Sequence, residues 1–288
     1  MDQKRDNVTG LLSVAPAFLM LAVFLGYPII RTFYQSFTIW DGLNSEFIGW
    51  DNYISIFSNG DLLLLLRNNV LFLLSVPVIL LITLVVTILL FEQVPGWRLF
   101  RSLYYLPSVL SAVVIGFLAK SMFSTHGLVN TTLQKLGLGN LVIDWFNYVP
   151  TAFLIIILCF YLQTLGQGVL IFLSGMSVIS QEVFEAGKID GANWFQRLYH
   201  FVIPALIPTI FYFTITNMIY VFIGLFGLVY SITGGGPGYE TTPIDYMIYL
   251  KAFQSGKMGY ASALSVVLFI IVFIMAWVQL KIQDRIHD

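Results

Sequence analysis

The residues able to do chemistry are few, and they cluster. Glu182, Glu185, Lys188, Asp190 and Arg197 all fall within residues 180–208, SQEVFEAGKIDGANWFQRLYHFVIPALIP, the most charged segment inside the chain. Val183, Phe184 and Ala186 fit a short amphipathic helix beginning after Ser180, with Glu182 and Glu185 near its positive N-terminus. Gly191 suits the end of that turn, and Asp190 can cap the next helix. Residues 192–202 predict this second short helix, which Pro204 converts into the start of the next long segment. Two short helices at an angle form a rigid knob, suited to transmitting force or fitting a partner's groove. A solvated inner loop explains the charges equally well on helix physics alone.

Catalytic patterns are missing elsewhere. His126, His200 and His287 are scattered at the flanks of apolar segments, and Cys159 is the only cysteine. No HExxH, GxSxG or cysteine–histidine cluster is written in the chain. Gly187–Lys188 is followed by Ile189 and Gly256–Lys257 by Met258, so neither pair continues as a phosphate loop needs. The run Gly234–Gly235–Gly236–Pro237–Gly238 reads as a turn. The expectation is therefore a non-enzyme with no metal or cofactor on this chain, whose energy, if it does work, comes from another subunit.

The elements that must position these residues are set by composition. The 288 residues are 58% hydrophobic and only 10% charged, with a net charge of −1. Ordinary soluble domains carry about 25% charged residues, so the chain belongs in a bilayer. The apolar excess excludes disorder, and the absence of a basic surplus excludes a nucleic-acid binder. Charge-free runs of about bilayer length cover residues 8–30, 68–91, 102–119, 145–181, 201–239 and 258–280. The fourth and fifth are too long for one span, and their helices are placed at 150–173 and 204–230. Dense Leu, Ile, Val and Phe without alternation favour helices over a barrel. Six transmembrane helices in an all-α integral membrane fold is the prediction.

The first run extends well past a signal peptide's apolar region, so it is expected to stay as a helix. Trp40, Trp50, Trp97, Trp145, Trp194 and Trp277 all fall at flanks or loops, as an aromatic belt requires. With both termini in the cytoplasm, Lys4, Arg5, Arg98, Arg101, Lys188, Arg197, Lys281 and Arg285 lie inside. Arg31, Arg67, Lys120, Lys135, Lys251 and Lys257 then lie outside, a small bias toward this orientation. The spans contain no acidic residue away from their edges, which argues against an ion-driven carrier. Their polar and aromatic residues Gln163, Thr164, Asn217, Tyr220, Phe226 and Tyr230 are the candidates for a solute path. Amides and hydroxyls suit sugar hydroxyls and aromatic rings suit sugar C–H faces. Interhelical glue is the competing reading of each.

The order Glu185-Ala186-Gly187, three residues, Gly191, nine residues, Phe201, one residue, Ile203-Pro204 resembles the EAA loop of binding-protein-dependent ABC importer permeases. Gly187 stands for the loop's third alanine, Phe201 for its isoleucine and Ile203 for its leucine. Asp190-Gly191-Ala192 is similar to the carbohydrate branch of that family. So are SITGGGPGY at 231–239, GYASALSV at 259–266, the region from Ala15 to Phe37, the GxxNY region at 49–57, Tyr105–Pro107 and the GLVN at 127–130. The branch includes the larger membrane subunit of maltose transporters.

The resemblance implies a type I ABC importer permease fold. A tail, first helix and extracytoplasmic loop would occupy 1–66, the permease core 67–280 with its EAA loop at 180–204, and a cytoplasmic tail 281–288. It implies that the EAA helix couples to a cytoplasmic ATPase through Glu185, Ala186, Gly187, Asp190, Gly191, Ala192 and Pro204, which makes that loop and both termini cytoplasmic. The implied partners are a second homologous permease, two ATPase subunits carrying ATP and Mg, an extracytoplasmic solute-binding protein facing Gly235, Gly236 and Pro237, membrane lipid and a carbohydrate. The setting is the cytoplasmic membrane of a bacterium or archaeon. Phe226 and Gly227 fall where sugar permeases carry a polar residue beside an aromatic one, and Gly227 departs from that pattern. A permease for a sugar phosphate or polyol, a membrane scaffold or receptor, and a secondary carrier are the rival readings.

Overall fold

The computed structural model describes residues 13–91, 95–177, 193, 196 and 198–287. Six of its helices are long and apolar enough to cross a membrane: Ser13–Gln35, Asp61–Phe91, Ala112–Lys135, Val149–Met176, Ile203–Ile223 and Met258–Gln283. Lipid offers no partners for backbone polar groups, so apolar runs of this length must satisfy them internally as helices. The expected count of six holds. Two boundaries do not, and both fail at breaks that carry no charge.

The third run, expected as one span over 102–119, is two helices. The helix Trp97–Val109 has Pro107 inside it, Leu110 and Ser111 turn extended, and a new helix Ala112–Phe123 begins with the Ser111 hydroxyl accepting from Val114 N–H at 3.3 Å. A turn then leads to Leu128–Lys135, where buried Asn130 donates to the Ile143 carbonyl at 2.9 Å and accepts from the Trp145 indole at 2.8 Å. Those bonds explain the GLVN asparagine. The fifth helix, expected over 204–230, stops at Ile223 and resumes as Phe226–Ile232.

The same device interrupts the first span and opens the fifth. Pro28 and Pro204 each sit in the first turn of an α-helical stretch that follows a π-helical turn, Ala22–Gly26 and Leu198–Val202 respectively. A proline lacks the N–H donor and crowds the carbonyl four residues back, and a wider turn relieves that crowding. Ahead of Leu198, Asn193 and Gln196 form a reciprocal cap. The Asn193 side chain accepts from Gln196 N–H at 2.9 Å, and the Gln196 side chain from Asn193 N–H at 2.8 Å. A helix start is therefore present where the second short helix is expected. Glu182, Glu185, Ala186, Gly187, Asp190, Gly191 and Ala192 lie outside the described residues.

The described residues pack as two compact units, one within 1–62 and 247–270, the other within 63–246 and 271–288. In the first, β1 (Thr38–Trp40) and β2 (Ser45–Phe47) form an antiparallel hairpin. Asp41 closes its turn by accepting from the N–H groups of Leu43 and Asn44, which hold its carboxyl below the usual range. Buried Asn52 donates to the carbonyls of Ser36 and Thr38 at 3.0 and 2.9 Å, and the Tyr53 hydroxyl reaches Ser36 at 2.7 Å. The Asn-Tyr of the GxxNY region thus ties the end of the first span to its neighbouring helix. Gly259 lies so close to the hairpin that a Cβ there would stand 2.0 Å from the Thr38 carbonyl oxygen. Close backbone approach accounts for the glycine that opens GYASA.

Candidate functional site

The second unit holds both groups of polar residues that matter. The first is built by Arg67-Asn68-Asn69, inside the helix Asp61–Leu73. The helix begins seven residues before the charge-free run, so Asn68 and Asn69 face protein within the span, while Arg67 is exposed. Asn68 and Asn69 are fully buried. Asn68 donates to the carbonyls of Tyr239 and Thr242, both at 3.0 Å, while Arg67 pairs with Glu240. Asn69 donates to the Val221 carbonyl at 2.9 Å and accepts from Ile244 N–H at 3.0 Å. One turn of helix thereby holds the segment that follows the glycine loop and ties it to the Val221 carbonyl near the end of the helix Ile203–Ile223.

Within that loop, the Gly235 carbonyl accepts from Thr241 N–H at 3.2 Å and from the Thr242 hydroxyl at 3.1 Å, and the Gly236 carbonyl accepts from the Thr241 hydroxyl at 2.8 Å. Gly235 is buried, Gly236 and Pro237 are half-buried, and the exposed tip is Gly238–Tyr239. Of the three residues expected to face a binding protein, Gly235 shapes the loop from inside.

The second group gathers at the break in the fifth span. Helix Ile203–Ile223 ends at Gly224, leaving the N–H groups of the next helix to be satisfied. Asp245, at the start of the helix Ile244–Tyr249, supplies the acceptor. One carboxylate oxygen accepts from Phe226 N–H at 2.9 Å and the other from Tyr246 N–H at 2.8 Å. Burial pushes this carboxyl up to about 7, and the backbone N–H groups around it oppose that rise only in part. Among the described residues Asp245 has no ion-pair partner.

Aromatic rings surround the break. Phe226 and Tyr230, one helical turn apart, stack with centroids 5.8 Å apart and planes 11° from parallel. Tyr246 meets them at 5.7 and 6.3 Å with its ring steeply inclined. Tyr220 stacks on Phe160 at 5.7 Å, and its hydroxyl lies 3.4 Å from the Gln163 amide oxygen. Gln163 also donates to the Leu110 carbonyl at 3.3 Å, the group freed by the break in the third run.

The structure sorts the six candidates accordingly. Gln163 and Tyr220 come together, as do Phe226 and Tyr230. Asn217 is buried and donates to the Phe213 carbonyl of its own helix at 2.8 Å, which is a structural bond. Thr164 is half-buried and makes no side-chain hydrogen bond among the described residues. Gly227 has a packing reason: a Cβ there would stand 2.9 Å from the Ala112 Cβ, and one on Gly116 would stand 1.8 Å from the Ser231 hydroxyl. Small residues let these two helices cross closely. Sequence reasoning missed Asp245, Asn68 and Asn69. A polar triplet interrupting LLLLL and VLFLL was a readable signal for the asparagines, whereas Asp245 read as one more loop charge.

Comparison with known proteins places these observations in a family. The model described as "Binding-protein-dependent transport system inner membrane component" matches residues 53–288. The lactose transport system permease protein of Rhizobium radiobacter is 32% identical over 278 residues, covering 95% of this chain and 93% of that one. The sn-glycerol-3-phosphate transport system permease protein of Agrobacterium fabrum is 29% identical, covering 98% and 97%. Among solved structures, a chain of a bacterial ABC transporter involved in the import of the acidic polysaccharide alginate superposes with a TM-score of 0.84 at 21% identity, covering 100% of this chain and 98% of that one.

Proposed function

Because the chain belongs to the binding-protein-dependent transport system inner membrane component family, we propose that it is the permease subunit of an ATP-driven ABC importer for a sugar or oligosaccharide. The observation that carries this reading is the end-to-end likeness to a lactose permease at 32% identity. A second permease completes the translocation path, two cytoplasmic ATPases supply the energy, and an extracytoplasmic binding protein delivers the solute. The alginate importer has also been solved in complex with a pentasaccharide-bound periplasmic protein, which supports that last partner. The likeness to a glycerol-3-phosphate permease favours a second reading, a phosphorylated polyol as the solute.

In this reading the segment around Glu185 docks on the ATPase, and the cap at Asn193 and Gln196 starts the helix that carries its motion into the fifth span. ATP-driven closure of the ATPases swings the two permeases between inward-open and outward-open forms. The Gly238–Tyr239 tip faces the binding protein from outside, and both termini lie in the cytoplasm. The test is ATP hydrolysis by the reconstituted complex of both permeases, the ATPases and the loaded binding protein. Loaded binding protein is expected to stimulate hydrolysis, and Glu185→Ala to abolish that stimulation while leaving the membrane subunits assembled. Failure of the chain to retain any ATPase subunit overturns the reading.

A further inference from the structure

We propose that the helix Asp51–Ser58 lies in the boundary between lipid headgroups and acyl chains at the end of the first span, with Trp50, Ile54 and Phe57 seated in the bilayer. The occupant of this face is lipid rather than a protein partner. The inference goes beyond the transport reading and does not depend on the solute.

The sequence spaces these three large apolar residues at i, i+4 and i+7, within one strip of a helix surface. They are 64%, 59% and 67% exposed, whereas Asn52 and Ile56 on the opposite face are buried. The helix therefore packs one face on its own unit and presents a second, apolar face outward. What covers that face follows from its depth. The first span is 23 residues long and ends at Gln35, close to the roughly 20 that cross the hydrocarbon. Asn52 is bonded to the carbonyls of Ser36 and Thr38, and the Tyr53 hydroxyl to Ser36. The helix is thus tied to backbone one and three residues beyond the span, at the level where the span leaves the acyl chains. Phe37, Trp50 and Tyr53 cluster at the same point, with ring centroids 5.0 to 5.4 Å apart, and Trp and Tyr rings concentrate at this depth. The most apolar stretch of the first span has none of its residues buried inside the protein, so the strip continues a surface that meets lipid. It carries no cation, and Asp51, Asn59 and Asp61 flank it. Its seat in the boundary therefore rests on apolar area rather than on attraction to anionic headgroups.

The test places nitroxide labels singly at Ile54→Cys, Phe57→Cys and Asn59→Cys, in the complex of both permeases and the ATPases reconstituted in phosphatidylcholine vesicles. Asn59 is exposed on the other side of the helix end. The unsubstituted chain, whose single cysteine is buried, is the labelling blank. Spin relaxation then compares collisions with oxygen, which concentrates among acyl chains, against collisions with a nickel chelate, which stays in water. The oxygen-to-nickel ratio at 54 and 57 is expected to be at least threefold that at 59. Neither loaded binding protein nor added phosphatidylglycerol is expected to change it. Tryptophan emission gives a second reading without a label. The difference in emission between wild type and Trp50→Phe is expected to fall by at least half in vesicles of lipid brominated in the upper acyl chain. Equal ratios at all three positions make the face water-exposed, and labels that neither reagent reaches make it a contact with the second permease. Access lost on adding binding protein makes that protein the occupant. Each of these results, or an emission difference unchanged by brominated lipid, overturns the proposal.

Discussion

Two polar clusters of the second unit have opposite characters. At Asn68 and Asn69 each buried amide has its donor and its acceptor in use, mostly toward backbone groups more than 150 residues away in sequence. At Asp245 the acceptor is a carboxylate met by the Phe226 and Tyr246 amides and other backbone N–H groups around the break, with no cation among the described residues and stacked rings beside it. The first cluster is closed: its hydrogen bonds fix a loop and leave nothing to offer. The second sets a carboxylate against backbone N–H groups at a break in a helix, where irregular backbone in a membrane protein is tolerated beside protein or a water-filled path. One cluster is neutral and joins distant segments, whereas the other places a charge at a helix break.

Substitutions that break this contrast rank by how many buried partners they orphan. Asn69→Ala removes a donor and an acceptor at once, leaving the Val221 carbonyl and Ile244 N–H unpaired. Each orphaned group costs about 1–3 kcal/mol, so a large drop in thermal stability of the detergent-solubilised protein is expected, with unchanged relative affinities for neutral and phosphorylated sugars in what remains folded. A change in that ratio would make the asparagines part of the solute path and dissolve the comparison. Next comes Gly116→Ala, whose methyl group collides with Ser231. Forcing apart a close helix crossing costs about 1–3 kcal/mol, and Gly116→Ala combined with Ser231→Ala should recover part of the loss in the same melt.

Acidity sharpens the other side of the contrast. The Asp245 carboxyl is raised from 3.8 to about 7, so between those values the folded state holds a proton that the unfolded state has released. Stability contributed by that proton is present at low pH and falls as pH rises toward 7. Melting temperatures taken from pH 5 to pH 8 should decline, and in Asp245→Asn the decline should flatten; identical profiles would mean the carboxylate is better solvated than its burial implies. The smallest effect is expected at Asn217. Its side chain donates only to its own helix, so Asn217→Leu should shift stability by about 1 kcal/mol or less and leave solute binding intact, as titration of a neutral disaccharide would report.

Much of the architecture was legible in the sequence because lipid imposes a length and a composition on every span. Charge-free runs therefore found six helices. They missed the breaks at Leu110–Ser111 and Gly224–Leu225, since a helix stopped by Pro107 and Ser111, or by Gly224, carries no charge to mark it. Pairing among the candidate residues was partly legible. Gln163, Tyr220, Phe226 and Tyr230 stood out as polar or aromatic residues in apolar helices, and they do meet in pairs. Asp245 did not stand out, because its meaning comes from Phe226, 19 residues earlier, and local pattern carries no such pairing. The EAA spacing was the most specific local signal in the chain, and its part from Glu185 to Gly191 lies outside the described residues.

Solute uptake into proteoliposomes containing both permeases and the ATPases tests the central claim most directly. With loaded binding protein outside and ATP inside, radiolabelled disaccharide is expected to accumulate, and uptake should stop when ATP is replaced by a non-hydrolysable analogue, even under an imposed proton or sodium gradient. Accumulation that persists on the gradient alone would contradict the account and make the chain an ion-coupled carrier.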